Sequence, residues 1–452
     1  MQGLSDRIKK NKIPGSSRLK LMFRSLKYKN YRLFVEGQSL SLIGTWLQMV
    51  ALTWLVYKMT NSALMLGIVG FAGQLPMFVV APFAGVLADR WNRHKMLLLT
   101  QSLALLQAVI LTILVFLNII QIWQIISLSI LLGLINAFDM PIRQAFVSDM
   151  IEEHKEDVGN AIALNSSMVN AARLIGPSIA GILIATVGEG WCFLVNSISF
   201  IAVVVSLLRM EIEIKPKPVL EFKIFKQLKE GFNYSFNFAP IKNLILLLAM
   251  VSLFSTSVTL LAPVIAKDFL KGSADTYGFL IAAYGSGALL GAIYLLNKKN
   301  VLGLGKLITL AVTLFGASLI FFGFSRIFFL SSLLMFFAGT GMMLHIASTN
   351  TLLQTISEES KRGRVMSFYT MAFRGMSPFG SLIAGSLGNS IGAPATLVLS
   401  GAVSLVSVFV FYLKLPGLRK VVRPIYENLG ILPQLASGVQ SAAESAQRKV
   451  IE

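Results

Sequence analysis

Apolar residues run through this chain in long blocks, and short polar or charged breaks part them. Twelve windows stand out, at ~33–57, ~63–88, ~96–117, ~121–140, ~161–187, ~191–208, ~243–266, ~276–296, ~304–324, ~327–352, ~364–387 and ~393–414. Each is close to the roughly 20 residues that carry a helix through the hydrocarbon core of a bilayer. Tight turns are predicted at Lys58–Ser62, Asn118–Gln121, Val187–Gly190 and Asn389–Ala393. The longest break, ~209–242, follows the sixth window and divides the spans six plus six. It holds Phe222-Lys223-Ile224-Phe225-Lys226-Gln227-Leu228-Lys229, where apolar and basic residues can segregate on an amphipathic helix lying on the inner leaflet; a plain solvated linker is the alternative. The two halves echo each other. Ser62-Ala63 opens span two as Ser273-Ala274 opens span eight, and an Arg precedes a Pro by four in span five (Arg173, Pro177) and again in span eleven (Arg374, Pro378). Paired echoes of this kind are the mark of carriers built from repeats. The expectation is an all-α polytopic membrane protein of twelve transmembrane helices in two six-helix bundles.

Composition agrees. Hydrophobic residues make up 55% of the 452 and charged ones 13%, against about 25% charge in a soluble globular chain. The net charge of +19 changes meaning once its placement is counted. Of the 40 Lys and Arg, 34 fall in segments on one side of the spans and 4 on the other (Lys58, Lys267, Lys271, Arg326), with Arg173 and Arg374 inside spans. By the positive-inside rule both termini are cytoplasmic, and the surplus faces anionic lipid, so no nucleic-acid partner is needed. The predicted layout is a basic cytoplasmic segment over 1–30, an N-terminal bundle over 31–208, the linker over 209–242, a C-terminal bundle over 243–414 and a cytoplasmic tail over 415–452. Residues 1–30 lack an apolar core and are not read as a cleavable signal. The lone Cys192 excludes an internal disulfide and a thiolate metal cluster, and the three His (His94, His154, His345) form no ligand pattern. No Gly-rich phosphate loop with a Lys follows a strand. An enzyme, a nucleotide-driven pump and a cofactor are therefore not expected.

One loop is specific. Gly85-Val86-Leu87-Ala88-Asp89-Arg90-Trp91-Asn92-Arg93-His94-Lys95 is too charged to lie in hydrocarbon, so it marks a turn at a membrane surface. The pattern Gly-x-Leu-Ala-Asp-Arg-x-x-Arg-x-Lys resembles the loop between helices 2 and 3 of the major facilitator superfamily. The family usually has Gly where Asn92 stands, and Asn tolerates the left-handed turn that a Gly would serve. Tyr31-Arg32-Leu33-Phe34, Ser41 to Gln48, Phe138-Asp139-Met140-Pro141 with Arg143-Gln144, and Arg173-Leu174-Ile175-Gly176-Pro177 resemble the branch that holds enterobactin exporters and macrolide-efflux proteins. The match is strongest over about 30–210. The resemblance implies a secondary active exporter, proton-coupled and working by alternating access in a bacterial inner membrane, with a small amphipathic molecule as substrate. A lysophospholipid or metabolite carrier working by facilitation is the alternative, and a monomer is expected.

The resemblance also implies a cytoplasmic gate at Asp89, Arg90, Arg93 and Lys95, with Asp89 facing the start of span eleven near Gly363. The second-half counterpart, Gly291 to Lys299, has Leu295 where the acid would be. Gly176, Pro177 and Gly181 in span five resemble the fifth-helix motif of superfamily antiporters, and Pro378 and Gly380 repeat it in span eleven. Small residues allow close backbone approach and Pro permits a bend, so these are read as hinge or packing positions. Arg173 and Arg374 read as buried cations that bind an anionic substrate or else hold helix interfaces through carbonyls. Glu36, Asp139 and His345 are candidates for proton coupling, since burial raises a carboxyl pKa; a fixed Glu36–Arg143 bridge is the alternative for the first. Spans one, four, seven and ten would line the substrate cavity by resemblance, through Gln38, Thr45, Gln48, Asn136, Ser255, Thr256, Asn350 and Gln354.

Overall fold

The computed structural model describes residues 24–151, 155–211, 224–298 and 300–431, and every regular element among them is helical. A short 3-10 turn, Arg24–Lys27, leads into α1 (Lys29–Thr60), α2 (Ala63–Arg90), α3 (Arg93–Phe116), α4 (Ile122–Asp149), α5 (Lys155–Thr186) and α6 (Glu189–Leu208). Then come α7 (Ile224–Asn237), α8 (Ala239–Leu260), α9 (Ala274–Asn297), α10 (Leu304–Phe324), α11 (Phe328–Ile356), α12 (Arg362–Thr370), α13 (Ser377–Ser390) and α14 (Ala393–Asn428). A one-turn helix, Ala262–Val264, and a π-helical turn, Ile265–Phe269, follow α8; a second π turn, Met371–Gly375, parts α12 from α13. The four expected tight turns recur, and each carries a positive φ: Asn61 at 46°, Asn118 at 56°, Gly188 at 96° and Gly392 at 86°.

Eleven helical stretches among the described residues are long and apolar enough to cross a membrane. Only 22–56% of each apolar window is buried inside the protein. The rest leaves large apolar side chains such as Leu208, Phe321, Phe324 and Phe329 exposed, as fits helices whose outer faces meet hydrocarbon. The window at ~364–387 is covered by α12, the π turn and α13 in succession, so no single helix there reaches 18 residues. Pro378 supplies a local cause: it lacks an N–H, and the turn just before it widens.

The chain forms two compact units. Unit 1 holds residues up to Glu221 together with Leu260–Gly285. In it α1 packs on α5 and α6, α3 on α4 and α6, and α2 on α4. One end is closed by Tyr31, Phe34, Leu97, Ile142, Phe146 and Leu207, with the Tyr31 hydroxyl donating to the Ala161 carbonyl at 2.8 Å. The N-terminal turn is tied down there: Asp157 takes the Tyr28 hydroxyl at 2.7 Å and pairs with Arg24 at 2.8 Å and Lys27 at 3.0 Å. The Tyr28 hydroxyl first, and Asp157 after it, hold the Lys27 ammonium pKa above its usual value.

Unit 2 holds Phe222–Thr259 and the chain from Ser286. There α10 packs on α11 and α14, α13 on α14, and α7 on α12. Glu230 pairs with Arg364 at 2.8 Å, Lys361 sits 4.5 Å above the Tyr234 ring, and Phe232 and Phe236 meet Phe368. Within the linker, then, α7 is fastened to the start of α12. At the other end of the unit the helix does not stop at ~414. α14 continues through Pro416 and Pro424 to Asn428 because Leu415 and Val422 are buried against the unit. The first part of the 415–452 segment is thus helical, and 432–452 lie outside the described residues.

Candidate functional site

In unit 1 the charged loop after α2 resolves into local contacts. The side chains of Asp89 and Arg90 lie outside the described residues, so the expected approach of Asp89 to Gly363 does too. Asn92 does not take a left-handed turn. It is extended, with φ −64°, and its Oδ1 accepts the Lys95 N–H at 3.0 Å, capping α3. Arg93 places Nη1 at 2.9 and 2.8 Å from the two carboxylate oxygens of Asp149 at the end of α4. His94 stacks on Phe146, and its Nε2 lies 2.8 Å from the Leu207 carbonyl. Lys95 is exposed.

Two to three turns further along, α3 and α4 meet at a buried carboxylate. Asp139 Oδ1 accepts from Thr100 at 3.0 Å and Gln101 at 2.6 Å, and its Oδ2 lies 3.2 Å from Arg143. Asp139 is 2% exposed. Arg143 therefore pairs with an acid on its own helix, and among the described residues the alternative Glu36–Arg143 bridge does not form. Glu36 is exposed on α1, so the burial argument for it is corrected. The periodicity of a mostly apolar helix cannot say which face packs, so it does not tell the buried acid from the open one.

Gln38 and Gln48 are both buried. Gln48 donates to Gln107 at 3.1 Å and accepts from Asn196 at 2.7 Å, which ties α1 to α3 and α6 in the interior of the unit. Thr45 and Asn136 are exposed. The structure thus separates two polar sets that look alike in the sequence, one that braces the bundle and one that is open.

Span five behaves as a packing helix. A side chain on Gly176 would meet Trp46 of α1, and one on Gly181 would meet the Gly278 backbone of α9. Pro177 sits inside an unbroken helix. Arg173 is half-buried, 5.9 Å from the Trp46 ring centre, and its carbonyl abuts Gly285. The residues 260–285 bring further partners that the sequence did not mark. The Tyr57 hydroxyl donates to Asp268, Lys267 donates to Asn61 at 2.6 Å, and Trp54 stacks on Tyr277 at 6.1 Å.

In unit 2, His345 is fully buried in α11, with Nδ1 3.4 Å from the Thr349 hydroxyl. Its Nε2 and the hydroxyls of Ser348 and Ser252 have no hydrogen-bond partner among the described residues. Ser255 and Thr256 are half-buried and bond back to the Ser252 carbonyl. Gln354 donates to Asn350 at 2.5 Å along one face of α11. Gly380 backs onto the Leu253 carbonyl of α8, and Pro378 opens α13. Arg374 lies in the π turn and is exposed, which corrects its reading as a buried cation.

With this geometry in hand, the comparisons with known proteins decide the family. A family described as transmembrane secretion effector matches residues 22–424. The chain belongs to that family, within the major facilitator superfamily. It is similar to the staphyloferrin A transporter of Staphylococcus aureus, 26% identical with 84% of this chain and 94% of that one covered. It is also similar to the multidrug efflux pump Tap of Mycolicibacterium fortuitum, at 25% with 84% and 93% covered. Macrolide efflux protein A of Streptococcus pyogenes is 23% identical, with 65% and 73% covered. Among solved structures, a bacterial homologue of the iron transporter ferroportin in an inward-facing state superposes with a TM-score of 0.65 at 18% identity, covering 86% of this chain and 98% of that one. That likeness establishes the fold: an all-helical major facilitator architecture.

Proposed function

We propose that this chain is a secondary active exporter of a small amphipathic molecule, siderophore-like or drug-like, working by alternating access and driven by the proton gradient. The observation that carries the reading is a family match running from 22 to 424, through nearly the whole chain, together with relatives named for siderophore transport, multidrug efflux and macrolide efflux. On this reading α12, the π turn and α13 form one crossing, which makes twelve, and both termini are cytoplasmic in a bacterial inner membrane. The protein acts as a monomer. Thr45, Asn136, Ser255, Thr256, Asn350 and Gln354 offer polar groups to substrate, while Gln38 and Gln48 hold the bundle behind them. Arg173 and Arg374 provide positive charge for an anionic group. Asp89, Arg90, Arg93 and Lys95 form the cytoplasmic gate. Glu36, Asp139 and His345 are the proton-coupling candidates, and their environments rank them: Glu36 is open, Asp139 is already bonded on both oxygens, and His345 has one free ring nitrogen.

The test is proteoliposomes holding a pH gradient, offered a hydroxycarboxylate siderophore and a macrolide in turn. Proton movement stimulated by one of them is the expected result. Substrate counterflow with no proton movement would instead favour the facilitated lysophospholipid or metabolite carrier.

A further inference from the structure

At one end of unit 2 a cavity of about 580 Å³ opens between the start of α8, the loop before α10, the end of α11 and the last turns of α14. Its walls are apolar, with Leu244, Leu352 and Ile356 on one side and Phe411, Leu415 and Val422 on the other. Three cations border it: Lys306, Arg419 and Arg423. The acid nearest to them in sequence, Glu427, is bonded to Arg423 at 2.9 Å. Lys306 and Arg419 are exposed and form no ion pair among the described residues. The volume lies in the range of small-molecule sites.

Two features place this cavity at a membrane surface rather than in the transport path. First, α14 is 36 residues long, far more than the roughly 20 a crossing needs. Its last turns therefore run along or beyond the headgroup level. Positions 411, 415, 418, 422 and 426 all line the cavity, and that spacing is one continuous helix face. Second, α11 gives the cavity Leu352 and Ile356, whereas the α11 groups assigned to substrate, Asn350 and Gln354, stand two residues from these and so on roughly the opposite face of that helix.

We infer that the cavity binds one anionic phospholipid of the inner leaflet, an acyl chain lying against the apolar walls and the phosphate held by Lys306, Arg419 and Arg423. Charge complementarity commits the site to that occupant. An apolar slot alone would take any lipid, whereas three cations beside a slot at the basic face of the protein select a negative headgroup. The inference rests on the membrane orientation proposed above and not on export, so a failed transport assay leaves it standing.

The experiment is native mass spectrometry of the full-length protein released from micelles holding equal phosphatidylglycerol and phosphatidylcholine. The expected result is one tightly retained phosphatidylglycerol per chain, favoured over phosphatidylcholine by about tenfold or more, given that each basic residue near the surface adds a comparable attraction. The variant Lys306→Gln/Arg419→Gln/Arg423→Gln is expected to lose that preference, and Lys306→Arg/Arg419→Lys/Arg423→Lys to keep it. Equal retention of the two lipids by the unaltered protein would overturn the inference, with no variant needed. So would a full preference surviving in the triple glutamine variant.

Discussion

At the scale of single residues, the buried carboxylate and the open one make opposite demands. Asp139 is held by Thr100, Gln101 and Arg143. Replacing it with Asn leaves Arg143 facing a neutral partner in a mostly buried position, a change that costs on the order of 2–4 kcal/mol. Asp139→Asn is therefore expected to lower the detergent-solubilised melting temperature by several degrees and to reduce the amount of folded protein, whatever it does to transport. Glu36 has no such framework. Glu36→Gln is expected to leave the melting temperature unchanged and to abolish gradient-driven efflux while counterflow persists. A Glu36→Gln protein that still concentrates substrate against its gradient would remove Glu36 from proton coupling. The sequence marked both acids and Arg143, but not which acid meets it. An i,i+4 spacing between Asp139 and Arg143 was there to be read. Asp149 as the partner of Arg93, and Asn196 and Gln107 as partners of Gln48, depend on helix pairings far apart in sequence. Period alone carries no information about those.

At the scale of elements, the stretch from Leu260 to Gly285 is the least foreseeable part of unit 1. Apolar windows over ~243–266 and ~276–296 mark two spans and say nothing about how they are joined. Neither says that the outer part of this hairpin packs on α1 and α5. The packing has a physical signature once seen. Gly181 and Gly278 meet at backbone distance, as small residues do in membrane helix pairs. The Tyr57–Asp268 bond and the Trp54–Tyr277 stack then pin the hairpin at its far end. Removing the hydroxyl donor should loosen this pin without emptying any volume. Ala274 is 2% exposed and Cys192 is fully buried, so Ala274→Cys gives a thiol reporter over a low background. Tyr57→Phe is expected to raise the maleimide labelling rate of Ala274→Cys severalfold. An unchanged rate would mean that the glycine contact alone holds the hairpin. Proline behaves with the same dependence on context. Pro141 and Pro177 are absorbed inside continuous helices, whereas Pro378 follows a π turn. A proline in the sequence marks where a helix can give way, and the neighbouring packing determines whether it does.

At the scale of the whole molecule, the charge count and the interrupted helix bear on one question: whether the chain crosses between Arg362 and Ser390. On the proposed orientation, the 34-to-4 distribution of Lys and Arg sets Lys361, Arg362 and Arg364 on the cytoplasmic side and the Asn389–Ala393 turn outside. That requires one crossing made of nine helical residues, a five-residue π turn and fourteen more. Their 28 helical residues, with Met376 between, exceed what the hydrocarbon demands, so length permits the crossing despite the break. Arg374 near its middle raises the insertion cost by roughly 2.5–3.5 kcal/mol, and a helix pair with α14 and α8, made through residues such as Gly380, offsets it only after the chain has folded. Insertion and folding are thus coupled for this stretch. In intact cells, a membrane-impermeant maleimide is expected to label Ser390→Cys from outside and to leave Glu359→Cys unlabelled until the membrane is opened. If both thiols react from the same side, the stretch does not cross and the cytoplasmic placement of the C-terminus fails with it. If the two react from opposite sides in the unaltered chain and Gly380→Leu abolishes that difference, packing against α8 is what carries Arg374 through.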